Sequence, residues 1–302
     1  MKGAELRTSR LKVRDRDGWY HCYNRAVGLA GGRPFGRVEK AKFVRLLMRI
    51  SRLYAIEVVA YQVLGNHYHL LLYAPALQPP EEEVCRRYEA FHGGRRTLYP
   101  GGDLCREWQK RMVDISWFMR HLQQLFSMWY NNTRSQRRRG AVWADRFKNT
   151  LLEDGPAVWH CWKYIENNPV RAGLATSAVR YRFGSHGVWF QKGRHPFEGN
   201  LRRRMLPLLA GMLGVKHVDE ACWKLDEVLA GRPDSQEAAT GFSLSVHRRM
   251  RYWTDGLIIG SESFLREVSC RLNLPRRRRP PPPSDACRNE RLLAWRRIRP
   301  IS

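Results

Sequence analysis

The sequence predicts an α+β domain in which an antiparallel sheet is flanked by helices, with a small helical C-terminal extension. Two observations carry this expectation. Residues 18–169 alternate between stretches of strand period and stretches of helical period, in the order strand, helix, hairpin, helix, strand, helix, and that order around a central hairpin fits helices laid on an antiparallel sheet. Beyond about residue 200 the strand signals give way to short helical ones.

The elements follow in chain order. "GWYHCYNRAV" (18–27) is aromatic and alternating, hence a strand. "EKAKFVRLLMRISRLY" (39–54) places Phe43, Leu46, Leu47, Ile50 and Leu53 at helical spacing. "IEVVAYQVL" (56–64) and "HYHLLLYA" (67–74) are short apolar runs joined by Gly65-Asn66, a hairpin turn with residues suited to positive φ. Residues 75–111, with prolines, "EEE" and paired glycines, read as an irregular excursion holding one helix at most. "DISWFMRHLQQLFSMWYNN" (114–132) is a long amphipathic helix, followed by the basic turn "TRSQRRRG". "AVWADRFKNTLLE" (141–153) alternates as a strand, and "GPAVWHCWKYIENNP" (155–169) is a helix opened by Pro156 and closed near Asn168 by Pro169. Past residue 200, "MLPLLAGML", "VDEACWKLDEVLAG" and "SESFLREVSCRL" form a helical unit, with Ser261 as an N-cap. "PRRRRPPPPS" (275–284) is extended and solvated.

Charge narrows the partner. With 54 Lys+Arg against 28 Asp+Glu the formal net charge is +26 over 302 residues, a self-repulsion that implies a polyanion and points first to nucleic acid. No apolar run approaches the roughly 20 residues that span a bilayer, so no membrane partner is expected. The charged start, without an apolar export signal, predicts a cytoplasmic protein. Seven cysteines without C-x-x-C spacing read as reduced thiols rather than a zinc site.

The candidate chemistry begins at "GNHYHLLLY". Residues i and i+2 of a strand share a face, so His67 and His69 can present two ring nitrogens to one divalent metal. Tyr164 and Asn168 lie four apart in "WKYIENNP", which stacks a phenol and an amide on one helix face. Taken separately, each pair also has a plain structural reading: two hydrogen-bonded strand histidines, or a tyrosine packed beside Trp162 with Asn168 capping its helix. The residues alone leave both readings open. Arg146 and Lys148, alternating in "DRFKN", and Arg137, Arg138 and Arg139 in the basic turn are candidate phosphate contacts.

Together "WYHCYNRA", "GNHYHLLLY", "FMRHLQQLFSMWYN", "GAVWADRFKNTLLE" and "YIENNPVRAGL" resemble, in order and spacing from residue 18 to about 187, the REP-associated tyrosine transposases. These are a branch of the single-tyrosine HUH endonuclease superfamily. "RYWTDGLIIGSESFLREV" is similar to an extension of longer members, while residues 80–110 are longer than in compact ones and Phe183 stands where tryptophan is common. The resemblance implies a ferredoxin/RRM-like HUH fold over residues 18–200, between a basic tail (1–17) and a helical extension (201–274) with an Arg/Pro-rich tail (275–302). It implies Tyr164 as nucleophile, His67, His69 and Asn168 as ligands of Mg²⁺ or Mn²⁺, and cleavage and rejoining of single-stranded or hairpin DNA through a 5′-phosphotyrosyl link. It further implies a bacterial, nucleoid-associated setting. The alternatives are a domesticated, catalytically silent hairpin-DNA-binding protein and a phosphodiesterase that uses water. Whether the protein is a monomer or a homodimer is left open.

Overall fold

The computed structural model describes residues 11–28, 32–134, 139–229, 253, 256–272, 274 and 293–296. The described strands are β1 (Gly18–Arg25), β2 (Glu57–Val63), β3 (His67–Ala74), β4 (Lys148–Leu152), β5 (Gly256–Gly260) and β6 (Leu293–Arg296), joined in one sheet of order β2-β3-β1-β4-β5-β6. Every neighbouring pair is antiparallel except β4 and β5, which run parallel.

The helices are α1 (Arg37–Ser51), α2 (Glu81–His92), α3 (Asp103–Met112), α4 (Ile115–Asn132), α5 (Pro156–Glu166), α6 (Asn168–Arg171), α7 (Ser185–Lys192), α8 (Glu198–Arg204), α9 (Leu206–Leu213), α10 (Val218–Leu229) and α11 (Glu262–Arg271). They cover both faces of the sheet, and the strand period decides which side chain faces which layer. Tyr20, Cys22, Leu70 and Leu72 pack against Phe43 and Leu47 of α1 and Phe118, Leu122 and Phe126 of α4. Trp19, Leu71 and Tyr73 point the other way, onto Val158, Cys161, Trp162 and Ile165 of α5. Each such buried apolar side chain contributes roughly 1.5–3 kcal/mol relative to exposure. Because β1 and β3 are central and covered twice, polar side chains on them become buried groups between layers.

The structure departs from the sequence expectations in several places. Residues 75–111 hold two helices, α2 and α3, rather than one: "EEE" is the first turn of α2, where carboxylates meet the positive end of the helix. The strand expected over 141–153 is confined to Lys148–Leu152, with Trp143 making only an isolated bridge to Ala26. The turn Gly65-Asn66 closes the β2–β3 hairpin, Leu64 N–H donating to His67 O at 2.8 Å, yet Gly65 does not use positive φ. Glycine is favoured there by close packing, since an added Cβ would press on Arg33 Cβ and Cγ at 3.0 Å. The stretch expected to be purely helical supplies α8, α9 and α10 but also β5, so it belongs to the same sheet. Ser261 caps α11 as expected, its hydroxyl accepting from Phe264 N–H. In the N-terminal stretch, Leu11 is buried and its carbonyl accepts from Asn149 Nδ2 at 2.7 Å, while Lys12 pairs with Asp114 at 2.6 Å.

Candidate active site

His67 and His69 open β3 on the face that meets α5, their ring centroids 5.1 Å apart and nearly perpendicular. The hairpin turn holds His67: its Nδ1 lies 2.6 Å from Asn66 Oδ1, an oxygen that can only accept, so this contact favours a proton on Nδ1. His69, one strand position deeper on the same face, is 2% exposed.

Opposite them, α5 begins at Gly155, whose φ of 87° favours glycine, with Pro156 in the first helical turn. Asn167, at φ −87° and ψ 1°, interrupts the helix one residue earlier than Pro169 alone suggests, and α6 resumes at Asn168. The break leaves Tyr164 over the histidine strand, 5.5 Å from the His69 ring centroid. Asn168 hydrogen-bonds both the His67 imidazole and the Tyr164 phenol through its side chain. One more turn along, the Arg171 guanidinium stands 5.1 Å from the Tyr164 ring centroid. The residues His67, His69, Tyr164 and Asn168 therefore meet at one place, from segments far apart in sequence.

The electrostatics are those of a cationic, dry site. Burial first, then Arg25, which lies directly across from His67 in the β1–β3 register, pushes His67 down to about 4; the bond to Asn168 opposes this. Burial, helped by His21, His67, Arg171 and Arg25, holds His69 well below the usual imidazole range. Both rings are neutral at physiological pH, the form in which an imidazole nitrogen can donate to a metal. Burial raises Tyr164 to about 12, against the lowering pull of Arg171 and of the Asn168 bond. Among the described residues no group of three or more His, Cys, Asp or Glu side chains is arranged to hold a metal ion. An ion here would have two imidazoles and an amide as its protein ligands.

The basic candidates separate. Lys148, exposed at the start of β4, pairs with Tyr23, which in turn pairs with His69, so its side chain is on the same face as the site. Arg146 is exposed but lies in a bend before β4, so the expected alternation of Arg146 and Lys148 on one strand does not occur. Its N–H is held by Asp145 Oδ1 at 2.7 Å. Arg139 is exposed; Arg137 and Arg138 lie outside the described residues.

Sequence reasoning missed His21, Asn66, Arg25, Arg171 and Trp253. His21 shares the site face of β1 with Trp19 and Tyr23 and is wholly buried, its Nε2 2.9 Å from His69 Nδ1 and its Nδ1 3.2 Å from the Trp253 carbonyl oxygen. The Trp253 ring packs 5.8 Å from Tyr164. The alternation of "WYHCY" places His21 on one face with Tyr23, but only the cross-strand register reveals which histidine it meets. A separate surface cavity of about 450 Å³, lined by Lys12, Tyr20, Lys110, Asp114 and Trp117 among others, opens on the opposite face of β1, to which Tyr20 points, and is distinct from this site.

No family model and no curated protein matches this chain. Among solved structures it is similar to that of a REP-associated tyrosine transposase bound to a REP hairpin, with 16% identity and a TM-score of 0.41 over 63% of this chain and 88% of that chain.

Proposed function

We propose that this protein cleaves and rejoins single-stranded DNA near hairpins, with Tyr164 as nucleophile and a divalent cation bound by His67, His69 and Asn168. The observation that carries the reading is the meeting of the two pairs: the Tyr164 ring lies 5.5 Å from that of His69, whose ring is 5.1 Å from that of His67, with Asn168 acting on both His67 and Tyr164.

In the forward step Tyr164 Oη bonds to phosphorus, the bond from phosphorus to the 3′ oxygen breaks, and the phenolic proton ends on that oxygen as a free 3′-OH. The 5′-phosphotyrosyl link keeps the bond's energy, so the reverse attack by a 3′-OH reseals a strand without ATP. Arg171 favours the Tyr164 phenolate, and Arg25, across the strand from His67, favours an anion near that ring. With burial raising the phenol to about 12, the neutral phenol dominates at pH 7, so attack depends on positive charge gathered at the site. The neutral, lone-pair-bearing imidazoles fit a divalent ion; Mg²⁺ or Mn²⁺, when bound, supplies the Lewis acid that offsets charge on a non-bridging phosphate oxygen. Lys148 and Arg146 are suited to the DNA backbone on either side, and Arg139 to a hairpin.

One observation favours a second reading, that of a silent hairpin-DNA binder. Tyr164 is only 4% exposed, as a packed core phenol would be. Incubation with Mn²⁺ and a 3′-labelled single strand containing a foldback hairpin separates the readings. A denaturation-resistant protein–DNA adduct that Tyr164→Phe abolishes, with hairpin affinity retained, is expected. Binding without an adduct in the unaltered protein supports the silent binder, and cleavage that survives Tyr164→Phe means water is the nucleophile.

A further inference from the structure

We propose that His21 is a positioning residue which, anchored on the Trp253 backbone carbonyl, holds His69 as its Nδ1–H tautomer and so turns the His69 Nε2 lone pair toward the site. The chain of reasoning begins at the one group whose role is fixed. A carbonyl oxygen only accepts, so the 3.2 Å contact between His21 Nδ1 and Trp253 O requires a proton on His21 Nδ1. His21 is 0% exposed, and a wholly buried imidazole is held neutral by the cost of burying charge. A neutral ring carries one proton, and this one is already placed. His21 Nε2 is then an acceptor, and the 2.9 Å contact with His69 Nδ1 makes His69 the donor. His69, also neutral, has its proton on Nδ1 and its lone pair on Nε2.

The local packing keeps this order in place. His21 and His69 are held nearly parallel, ring centroids 5.1 Å apart and planes 21° from one another. Thr150, directly across from His21 on β4, donates its hydroxyl to Gly256 O at 2.7 Å and so ties β4 to the start of β5, beside Trp253. At His67 the Asn66 Oδ1 contact favours the same tautomer. The two rings on one face are thus held from opposite sides, His67 from the hairpin and His69 from the C-terminal segment. Outer partners that fix a ring's tautomer in this way are worth about 10–100-fold in metal affinity.

The consequence for cation binding rests on the function proposed above, whereas the tautomer does not. The test uses the full chain labelled with ¹⁵N-histidine. Long-range ¹H–¹⁵N spectra of the metal-free protein are expected to give His69, identified by loss of its signals in His69→Gln, as the Nδ1–H tautomer. In His21→Phe that preference should be lost and Mn²⁺ should bind about 10–100-fold more weakly. His21→Gln, whose amide oxygen can accept from His69 Nδ1–H, should restore both. An Nε2–H His69 in the unaltered protein, or unchanged Mn²⁺ affinity in His21→Phe, overturns the inference. If the unaltered protein binds no Mn²⁺, the proposed cation site falls while the tautomer spectrum still decides the role of His21. Should His21→Phe not fold, the His69 tautomer in the unaltered protein and in His21→Gln decides the role instead.

Discussion

Glu166 lies two residues past Tyr164 and is wholly buried, accepting from the Ser185 hydroxyl, from Gln62 Nε2 at 3.0 Å and from the His186 backbone N–H at 3.2 Å. Burial pushes its carboxyl from 4.5 up to about 7, although each of those donors pulls it down. Between those two values the folded protein keeps a proton that the unfolded chain has lost, so this group's contribution is fully present below about pH 4.5 and is lost as pH rises through about 7. A carboxyl moved from 4.5 to about 7 corresponds to roughly 3 kcal/mol at about 1.4 kcal/mol per tenfold change. Glu166→Gln mimics the protonated acid: its oxygen can accept from Gln62 and His186, and its amide can donate to Ser185 Oγ, whose hydroxyl already reaches Tyr61 O at 3.3 Å. Urea unfolding of both proteins from pH 4.5 to 8 should find the variant gaining roughly 3 kcal/mol on the unaltered protein across the range. The difference is the readout because His67, His186 and His195, depressed to about 4, 4 and 3, act in the opposite sense, losing stability as pH falls. A pH-independent difference would refute the reasoning, since Glu166 would then titrate as an ordinary carboxylate.

Because His67 is held down to about 4, Mn²⁺ binding should stay flat from pH 8 to about 5 and fail only near 4; calorimetry giving a midpoint near 6.5 would mean the ring titrates as if exposed. Lys148→Ala should leave the fold intact and lower the slope of log affinity against log salt for single-stranded DNA by about 0.7, as one phosphate contact is lost. An unchanged slope removes Lys148 from the DNA track. Gly187→Ala would bring a Cβ to 2.1 Å from Tyr181 O and 2.8 Å from Tyr181 C, so a loss of about 1–3 kcal/mol in urea unfolding is expected; unaltered stability would mean α7 can move aside freely.

The elements legible in the sequence are those whose period is set by one buried face. The α1 spacing of Phe43, Leu46, Leu47 and Ile50 reappears as that helix's buried residues, and α4 likewise buries Phe118, Leu122 and Phe126. In α2 only Val84 and Tyr88 are buried, and in α3 only Cys105 and Met112, too few apolar positions to announce a helix. The strand reading of 141–153 overreached because Trp143 and Phe147 keep an alternating look, while Asn24 Nδ2, bonded to Asp145 O at 2.8 Å, holds that backbone outside the ladder. "GLIIG" of β5 is a short run between glycines, and nothing local says that it will lie beside β4. At the site, the histidine pair and the Tyr164–Asn168 pair were visible as spacings within single elements. His21, Arg25, Arg171 and the Trp253 carbonyl depend on register and on a helix break, which are properties of the assembled sheet.

The parallel pairing of β4 with β5 also sets a timetable. A parallel neighbour is reached only by a crossover, and here the chain leaves β4 at Leu152 and re-enters at Gly256, with α5 through α10 between. Contacts that close so long a loop form late, after the local hairpin and helices. The carbonyl of Trp253 is therefore expected to reach His21 after the two histidines and Tyr164 have met. During synthesis the N-terminal portion emerges first, so a nascent chain can display a potential nucleophile long before its His69 ring is locked. On the proposed function, competence for strand cleavage would arrive with the last strands to dock, and a partly made chain would be spared from cutting the strands around it.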